Sequence, residues 1–275
     1  MLKDITLGQY FPGKSVIHRL DPRVKLILTV LFIVLIFVSK NIYSFGLIIA
    51  AVISLVLMSG ISIKIVLKSI KPILILMLFT AIINLFWTKG EGEPLVSWWI
   101  INIWKQGIVN AAFMIFRIVS LVTGTSILLT YTTSPISLTD ALERIMKPLK
   151  VLHIPVHEFA MMMTIALRFI PTLLEETDKI INAQKARGAA LDRGNLIEKV
   201  KAFIPILIPL FISAFRRADD LACAMECRCY RGDEGRTRMK ILKMTSVDVV
   251  ALFLFVAFAC VVFYFNSINV SIAVR

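Results

Sequence analysis

The chain has 275 residues, 58% of them hydrophobic, and a mean hydropathy of +0.82, which excludes an ordinary soluble domain. Its net charge of +13 arises from 31 Lys and Arg against 18 acidic residues. Those cations lie in the connections between apolar runs, the distribution expected of cytoplasmic loops, so a nucleic-acid partner is excluded as well.

Residues 1–25 carry Lys3, Lys14, Arg19, Arg23 and Lys25 against Asp4 and Asp21 and are expected to form a cytoplasmic segment. No cleavable signal peptide is visible, so the first apolar run is read as an uncleaved anchor. Gly8 to Gly13 is turn-rich. Asp21-Pro22 predicts a helix start, with Asp as N-cap and Pro at the first helical position. Leu26–Val38 and Ile42–Ile61 then read as two spans joined by a tight outer turn. The first is short against the roughly 20 residues that cross the hydrocarbon, and Lys25 and Lys40 are expected to snorkel to opposite interfaces. Ile63–Lys71 is basic at helical spacing and reads as a cytoplasmic connection, followed by a third span from Ile73 to Trp87. Lys89–Pro94 is read as an outer loop, flanked by Trp87, Trp98, Trp99 and Trp104 as an interfacial aromatic belt. Gly107–Leu129 is the fourth span. Within it, Arg117 is either a functional charge or a structural one that faces the bundle and binds backbone carbonyls, Asn84 or Asn110. No substrate constellation surrounds it, which favours the structural reading.

The region 131–245 holds 18 of the 31 Lys and Arg and 13 of the 18 acidic residues, so it reads as a cytoplasmic or interfacial unit. Thr132–Pro135 is a break, Asp140–Leu152 a basic amphipathic helix, and His153-Ile154-Pro155 a second break. Val156–Ile170 is apolar and Met-rich and is expected to end at Pro171. A charged helix Thr172–Arg187 follows, with Leu173, Leu174, Thr177, Ile180, Ile181 and Gln184 along one face and Glu175 placed to pair with Lys179. Gly188–Asn195 reads as loop. Leu196–Phe215, interrupted by Pro205 and Pro209, reads as a helix along the membrane surface or under the spans, and Arg216–Tyr230 as a second charged helix. Arg236, Arg238, Lys240 and Lys243 precede the last span, Val247–Phe265, and hold its start inside. The expected fold is therefore all-α and polytopic: about five transmembrane helices, N-terminus inside and C-terminus outside. Four spans fall in 26–130 and the last in 246–275, with a large cytoplasmic unit between them.

The chemistry-bearing residues are sparse. His153, His157 and Glu158 lack the His-Glu-x-x-His register, since Met161 occupies the second histidine position, and Pro155 separates the two histidines; a metal site is not favoured. Cys223, Cys227 and Cys229 have no Cys-x-x-Cys spacing and are read as small packing residues in a reducing compartment. Gly13-Lys14 lacks the rest of a phosphate loop, so any nucleotide chemistry belongs to another chain. No nucleophile, base and acid set stands out, and neither catalysis nor a cofactor is expected. What remains are two similar arginine sites, Ala186-Arg187-Gly188 and Cys227-Arg228-Cys229. Each closes a charged helix with an arginine between small residues, so that a second protein can approach closely and meet the rigid five-donor fork of the guanidinium. Ordinary salt bridges are the alternative role for both arginines.

Gly8-Gln9-Tyr10-Phe11-Pro12-Gly13-Lys14-Ser15 and Ile17-His18-Arg19-Leu20-Asp21-Pro22-Arg23-Val24-Lys25-Leu26 closely resemble the transmembrane (T) component of energy-coupling factor transporters. The two arginine sites resemble that family's paired Ala-Arg-Gly motifs. Ala186-Arg187-Gly188 matches in full, whereas Cys227 and Cys229 replace Ala and Gly at the second. The resemblance covers nearly the whole chain. It implies a non-catalytic scaffold joining two cytoplasmic ATP-binding-cassette ATPases to a membrane-embedded substrate-binding (S) subunit that captures a vitamin or metal ion. Arg187 and Arg228 would dock the ATPases, and Val156–Ile170 with Leu196–Phe215 would support the S subunit. The N-terminal run resembles members that serve a shared module more than dedicated cobalt or nickel permeases. A metal-ion permease subunit and an ATP-independent secondary transporter are the alternatives, although the inverted repeats of the latter are not seen.

Overall fold

The structure is a computed structural model and describes residues 10–88, 96–98, 101–189, 196–232 and 242–267. The chain divides into two compact units. One comprises Gly8–Ala141 with Ile241–Arg275, the other Leu142–Lys240 with Met1–Leu7.

In the first unit, a short turn of helix α1 (Val16–Arg19) leads into α2 (Pro22–Val38). The Asp21 carboxylate accepts the Arg23 backbone N–H at 2.9 Å, so the N-cap and first-turn proline read from the sequence both form. After a tight turn, α3 (Ile42–Ser59) ends on Gly60 with φ of 68°, a left-handed cap that glycine supplies without a Cβ clash. The basic segment expected to be a connection is itself helical. α4 (Ile63–Ile70) passes through a 3₁₀ turn at Lys71–Ile73 into α5 (Leu74–Trp87), because Pro72 stands in the first turn of the new helix, where its missing N–H costs least. Two short antiparallel strands, β1 (Val96–Trp98) and β2 (Ile101–Ile103), follow in the register Val96↔Ile103. They add a ribbon that the all-helical reading did not foresee. The outer loop Lys89–Pro94 and Trp99 lie outside the described residues. α6 (Lys105–Thr125) closes with a π turn, Ser126–Tyr131, and α10 (Ser246–Ser267) completes the unit.

Among the described residues, four helical stretches are long and apolar enough to cross a membrane: Ile42–Ser59, Ile63–Trp87, Lys105–Tyr131 and Ser246–Ser267. α2 has only 17 residues, about 26 Å at 1.5 Å per residue. It nevertheless matches α10 end to end. The Asp21 backbone N–H donates to Asp248 Oδ1 at 2.7 Å at one end, and the Lys40 backbone N–H donates to Asn266 Oδ1 at 3.0 Å at the other. The two helices run parallel and are matched in length between these two bonds.

α6 lies antiparallel to α2. Lys25 Nζ donates to the Thr132 carbonyl at 2.8 Å, the Phe32 ring lies on Gly124, and Arg117 donates to the Ser39 carbonyl at 3.1 Å. A Cβ at Gly124 would overlap the Phe32 ring, so this contact requires glycine. Phe32, Ile36, Ile48 and Val52 form the core of the bundle, backed by Leu121, Phe255 and Phe258. A second cluster, Ile17, Ile127, Leu128 and Tyr131, seals one end.

One charge departs from expectation and one meets it. Lys25 does not snorkel; it is 1% exposed, and three oxygens of Thr132 and Thr133 replace its water. Arg117 takes the structural role favoured by the sequence. It lies level with the α2–α3 turn, bonded to the Ser39 carbonyl and 5.3 Å from the Phe45 ring centroid. The carbonyl role read from the sequence is realised, whereas Asn84 is not its partner: its amide donates to Thr80 O within α5.

The second unit follows α7 (Pro135–Met146), which starts earlier than Asp140 because Pro135 opens it, and a 3₁₀ turn, Lys147–Leu152. His153, at φ of 59°, breaks the chain before Pro155, as expected. α8 (Val156–Ala186) and α9 (Leu196–Cys227) then form an antiparallel pair. Each is one helix where the sequence reading placed two, split at Pro171 in α8 and after Phe215 in α9. α8 passes through Pro171, and α9 through Pro205 and Pro209. Proline removes a single i→i−4 bond, and the turns on either side hold the remainder of the ladder. Pro209 leaves the Pro205 carbonyl without its helical donor, and Gln184 Nε2 of α8 takes that place with a long bond of 3.4 Å.

Candidate functional site

The site consists of the C-terminal ends of α8 and α9. At the first, Arg187 is the terminal cap. Its N–H donates to Gln184 O at 3.1 Å, Gly188 N–H donates to Lys185 O at 3.0 Å, and Ala189 N–H donates to Gln184 O at 3.0 Å. At the second, Arg228 N–H donates to Met225 O at 3.1 Å, Cys229 N–H to Glu226 O at 2.9 Å, and Tyr230 N–H to Met225 O at 3.1 Å. The two patterns share these three bonds, and Arg187 N–H adds one to Ala183 O at 3.2 Å; both are Schellman endings with a left-handed residue just after the arginine. That residue is Gly188 at φ of 88° in one and Cys229 at φ of 55° in the other.

This ending has a consequence for the arginines. The last carbonyls are satisfied by backbone N–H groups, so neither guanidinium is needed as a cap. Each cation also sits at the negative end of a helix dipole, a location favourable by about 0.3–1 kcal/mol. Ala186, Arg187, Gly188, Cys227, Arg228 and Cys229 are all exposed. Among the described residues no ion pair or hydrogen bond engages either guanidinium. The five donors of each fork therefore face outward from a rigid mount.

The pairing of α8 with α9 sets where the two ends lie. Gln184 meets Pro205, Glu176 meets Arg217 at 2.9 Å, and Gly232 beyond α9 faces Glu158 in the first turn of α8. Arg187 and Arg228 thus cap opposite ends of the pair, roughly 40 Å apart along the helices at 1.5 Å per residue. One partner of ordinary size does not readily cover both. The face of α8 read from Leu173, Leu174, Thr177, Ile180, Ile181 and Gln184 is half-buried along its length. The ion pair that forms runs between helices, Glu176 to Arg217, and not from Glu175 to Lys179 within α8. A hydrogen bond from Ser213, then Arg217, holds the Glu176 carboxyl below its usual range.

A continuous apolar stripe occupies the outer side of α9: Ile197, Val200, Ile204, Ile208, Phe211 and Phe215 are exposed at spacings of three and four residues, so they share one face. Phe159, Met162 and Met163 of α8 are exposed as well. His157 Nδ1 pairs with Glu143 Oε1 at 2.9 Å. No three His, Cys, Asp or Glu side chains converge among the described residues. The sequence reading missed the left-handed geometry at Cys229, since the glycine that signals such an ending is absent. The only available cue was Tyr230 with Met225, an apolar pair in the positions that accompany a Schellman ending.

The model of a family described as cobalt transport protein (CbiQ) matches residues 13–241. A protein of Ruminiclostridium cellulolyticum is 54% identical over 258 residues, 94% of this chain and 96% of its own length. One of Clostridium kluyveri is 52% identical over 261 residues, covering 95% and 96%. One of Listeria innocua is 45% identical over 267 residues, covering 97% and 100%. All three are named energy-coupling factor transporter transmembrane protein EcfT. A bundle of membrane-length helices and a likeness to these relatives along nearly the full chain together place this protein in the EcfT family, the transmembrane components of energy-coupling factor transporters.

Proposed function

We propose that this chain couples two cytoplasmic ATP-binding-cassette ATPases to a membrane-embedded S subunit and so drives import of a vitamin or similar micronutrient. Region 131–245 is then the coupling unit on the cytoplasmic face of the cell membrane. Arg187, between Ala186 and Gly188, enters one ATPase, and Arg228, between Cys227 and Cys229, enters the other. ATP-driven closure of the ATPases moves the ends of α8 and α9, and the apolar stripe of α9 with the exposed Phe and Met residues of α8 passes that movement to the S subunit. The chain performs no catalysis and holds no cofactor, hydrolysis belonging to its partners.

The observation that carries this reading is the repeated backbone ending, with an exposed arginine, unpaired among the described residues, at each of two opposite helix ends. Replacing Arg187 or Arg228 with Glu reverses the charge offered to an ATPase. Each single variant is expected to weaken co-purification of ATPase by about tenfold, as losing a buried charged contact does. The double variant should insert in the membrane and fail to support uptake. Normal ATP-driven uptake by the double variant would sink the proposal. The description of the matched family, cobalt transport protein, favours a second cargo, a cobalt ion. The two readings separate on whether the small subunit purified with this chain binds a vitamin or the metal.

A further inference from the structure

Both connections between the membrane bundle and the coupling unit converge on one short stretch of chain, Asp21 to Lys25. On the outgoing side, Lys25 Nζ holds Thr132 O at 2.8 Å and the hydroxyls of Thr132 and Thr133 at 3.3 Å, immediately before α7. On the returning side, Arg23 donates to Leu242 O at 3.0 Å, and Asp21 N–H donates to Asp248 Oδ1 at 2.7 Å. Asp248 Oδ2 accepts the Thr245 N–H at 2.7 Å, and Arg23 is itself fixed by an ion pair to Asp21 at 2.8 Å. Asp21, Lys25, Thr132, Thr133 and Asp248 are all buried.

A buried charge is retained only where fixed partners replace its water, and a network satisfied in this way is stiff. We infer that Asp21–Lys25 is a mechanical clasp, through which displacement of the coupling unit pulls on the start of α2 and of α10 together. This rests on the coupling role proposed above. The clasp makes positioning residues of Lys25, Arg23 and Asp248, none of which belongs to the arginine docking sites. If the two connections were held by separate elements, each would move independently; a single holder makes the bundle respond as one body.

The test uses the full complex with its ATPases and S subunit in lipid nanodiscs, and follows backbone amide exchange on adding magnesium ATP with vanadate. In the wild type, amides of α8–α9 and of the α2 and α10 starts should all respond. In Lys25→Met and Asp248→Asn the α8–α9 response and ATP hydrolysis should persist, while the response at α2 falls about tenfold, a loss of about 1.4 kcal/mol of coupling. Thr133→Val, nearly isosteric, should show the same loss in smaller measure and decides the matter if either charged-site variant fails to assemble. An unchanged α2 response in assembled variants overturns the clasp, as does a wild-type α2 that stays silent while α8–α9 respond. If no ATPase joins the wild-type chain, or α8–α9 ignore ATP, the coupling reading fails and the clasp with it.

Discussion

At the scale of single residues, the two arginine sites show how one backbone shape is reached from different chemistry. Gly188 adopts its left-handed φ without penalty, and a Cβ there would meet nothing within 4 Å. The cost of replacing it is therefore purely conformational. Cys229 adopts the same conformation with a side chain, at a cost of about 1 kcal/mol. Cys229→Gly is expected to raise the thermal midpoint of the detergent-solubilised chain by the equivalent of up to about 1 kcal/mol, and Gly188→Ala to lower it comparably. Equal midpoints for all three proteins would show that left-handed strain does not distinguish the two ends. The first ending was legible from Gly188. The second was not, because cysteine carries no signal for a positive φ, and only the hydrogen bonds around Met225 and Tyr230 reveal it.

At the scale of elements, α8 and α9 are longer than their sequences suggest. The boundaries read at Pro171 and after Phe215 do not exist, since local rules for ending a helix gave way to packing between two neighbours. The same packing creates the Glu176–Arg217 pair, which no spacing within α8 predicts. Because the folded Glu176 carboxyl titrates below its unfolded value, its contribution is present above the usual carboxylate pKa of about 4.3 and fades as pH falls through the folded value. Glu176→Gln is expected to cost under about 1 kcal/mol at neutral pH, as suits a partly exposed pair. The gap between variant and wild type should close below about pH 4. Urea titrations of both proteins at a series of pH values check the direction; a gap that widens on acidification contradicts it.

At the scale of the whole molecule, charge predicts orientation. Lys and Arg cluster around residues 1–25, 63–71 and 236–243, and the positive-inside rule predicts the cytoplasmic face for all three. A reporter enzyme that folds only outside the cytoplasm should therefore be active when fused after Ser267 and inactive when inserted at Asn195. The reverse pattern would invert the topology and place the arginine sites where no cytoplasmic ATPase reaches them.

The sequence by itself determined the membrane character, the start of α2 and the positions of the two exposed arginines, because hydropathy, capping and small-residue flanks are local properties of a chain. Only the tertiary structure decided that α2, with 17 residues, is bonded at both ends to α10. It also decided that Lys25 is buried where snorkelling was expected, and that Arg117 braces a turn. Each of these outcomes depends on partners about 80 to 230 residues away; a charge's environment is set by what folds against it, which no local pattern records.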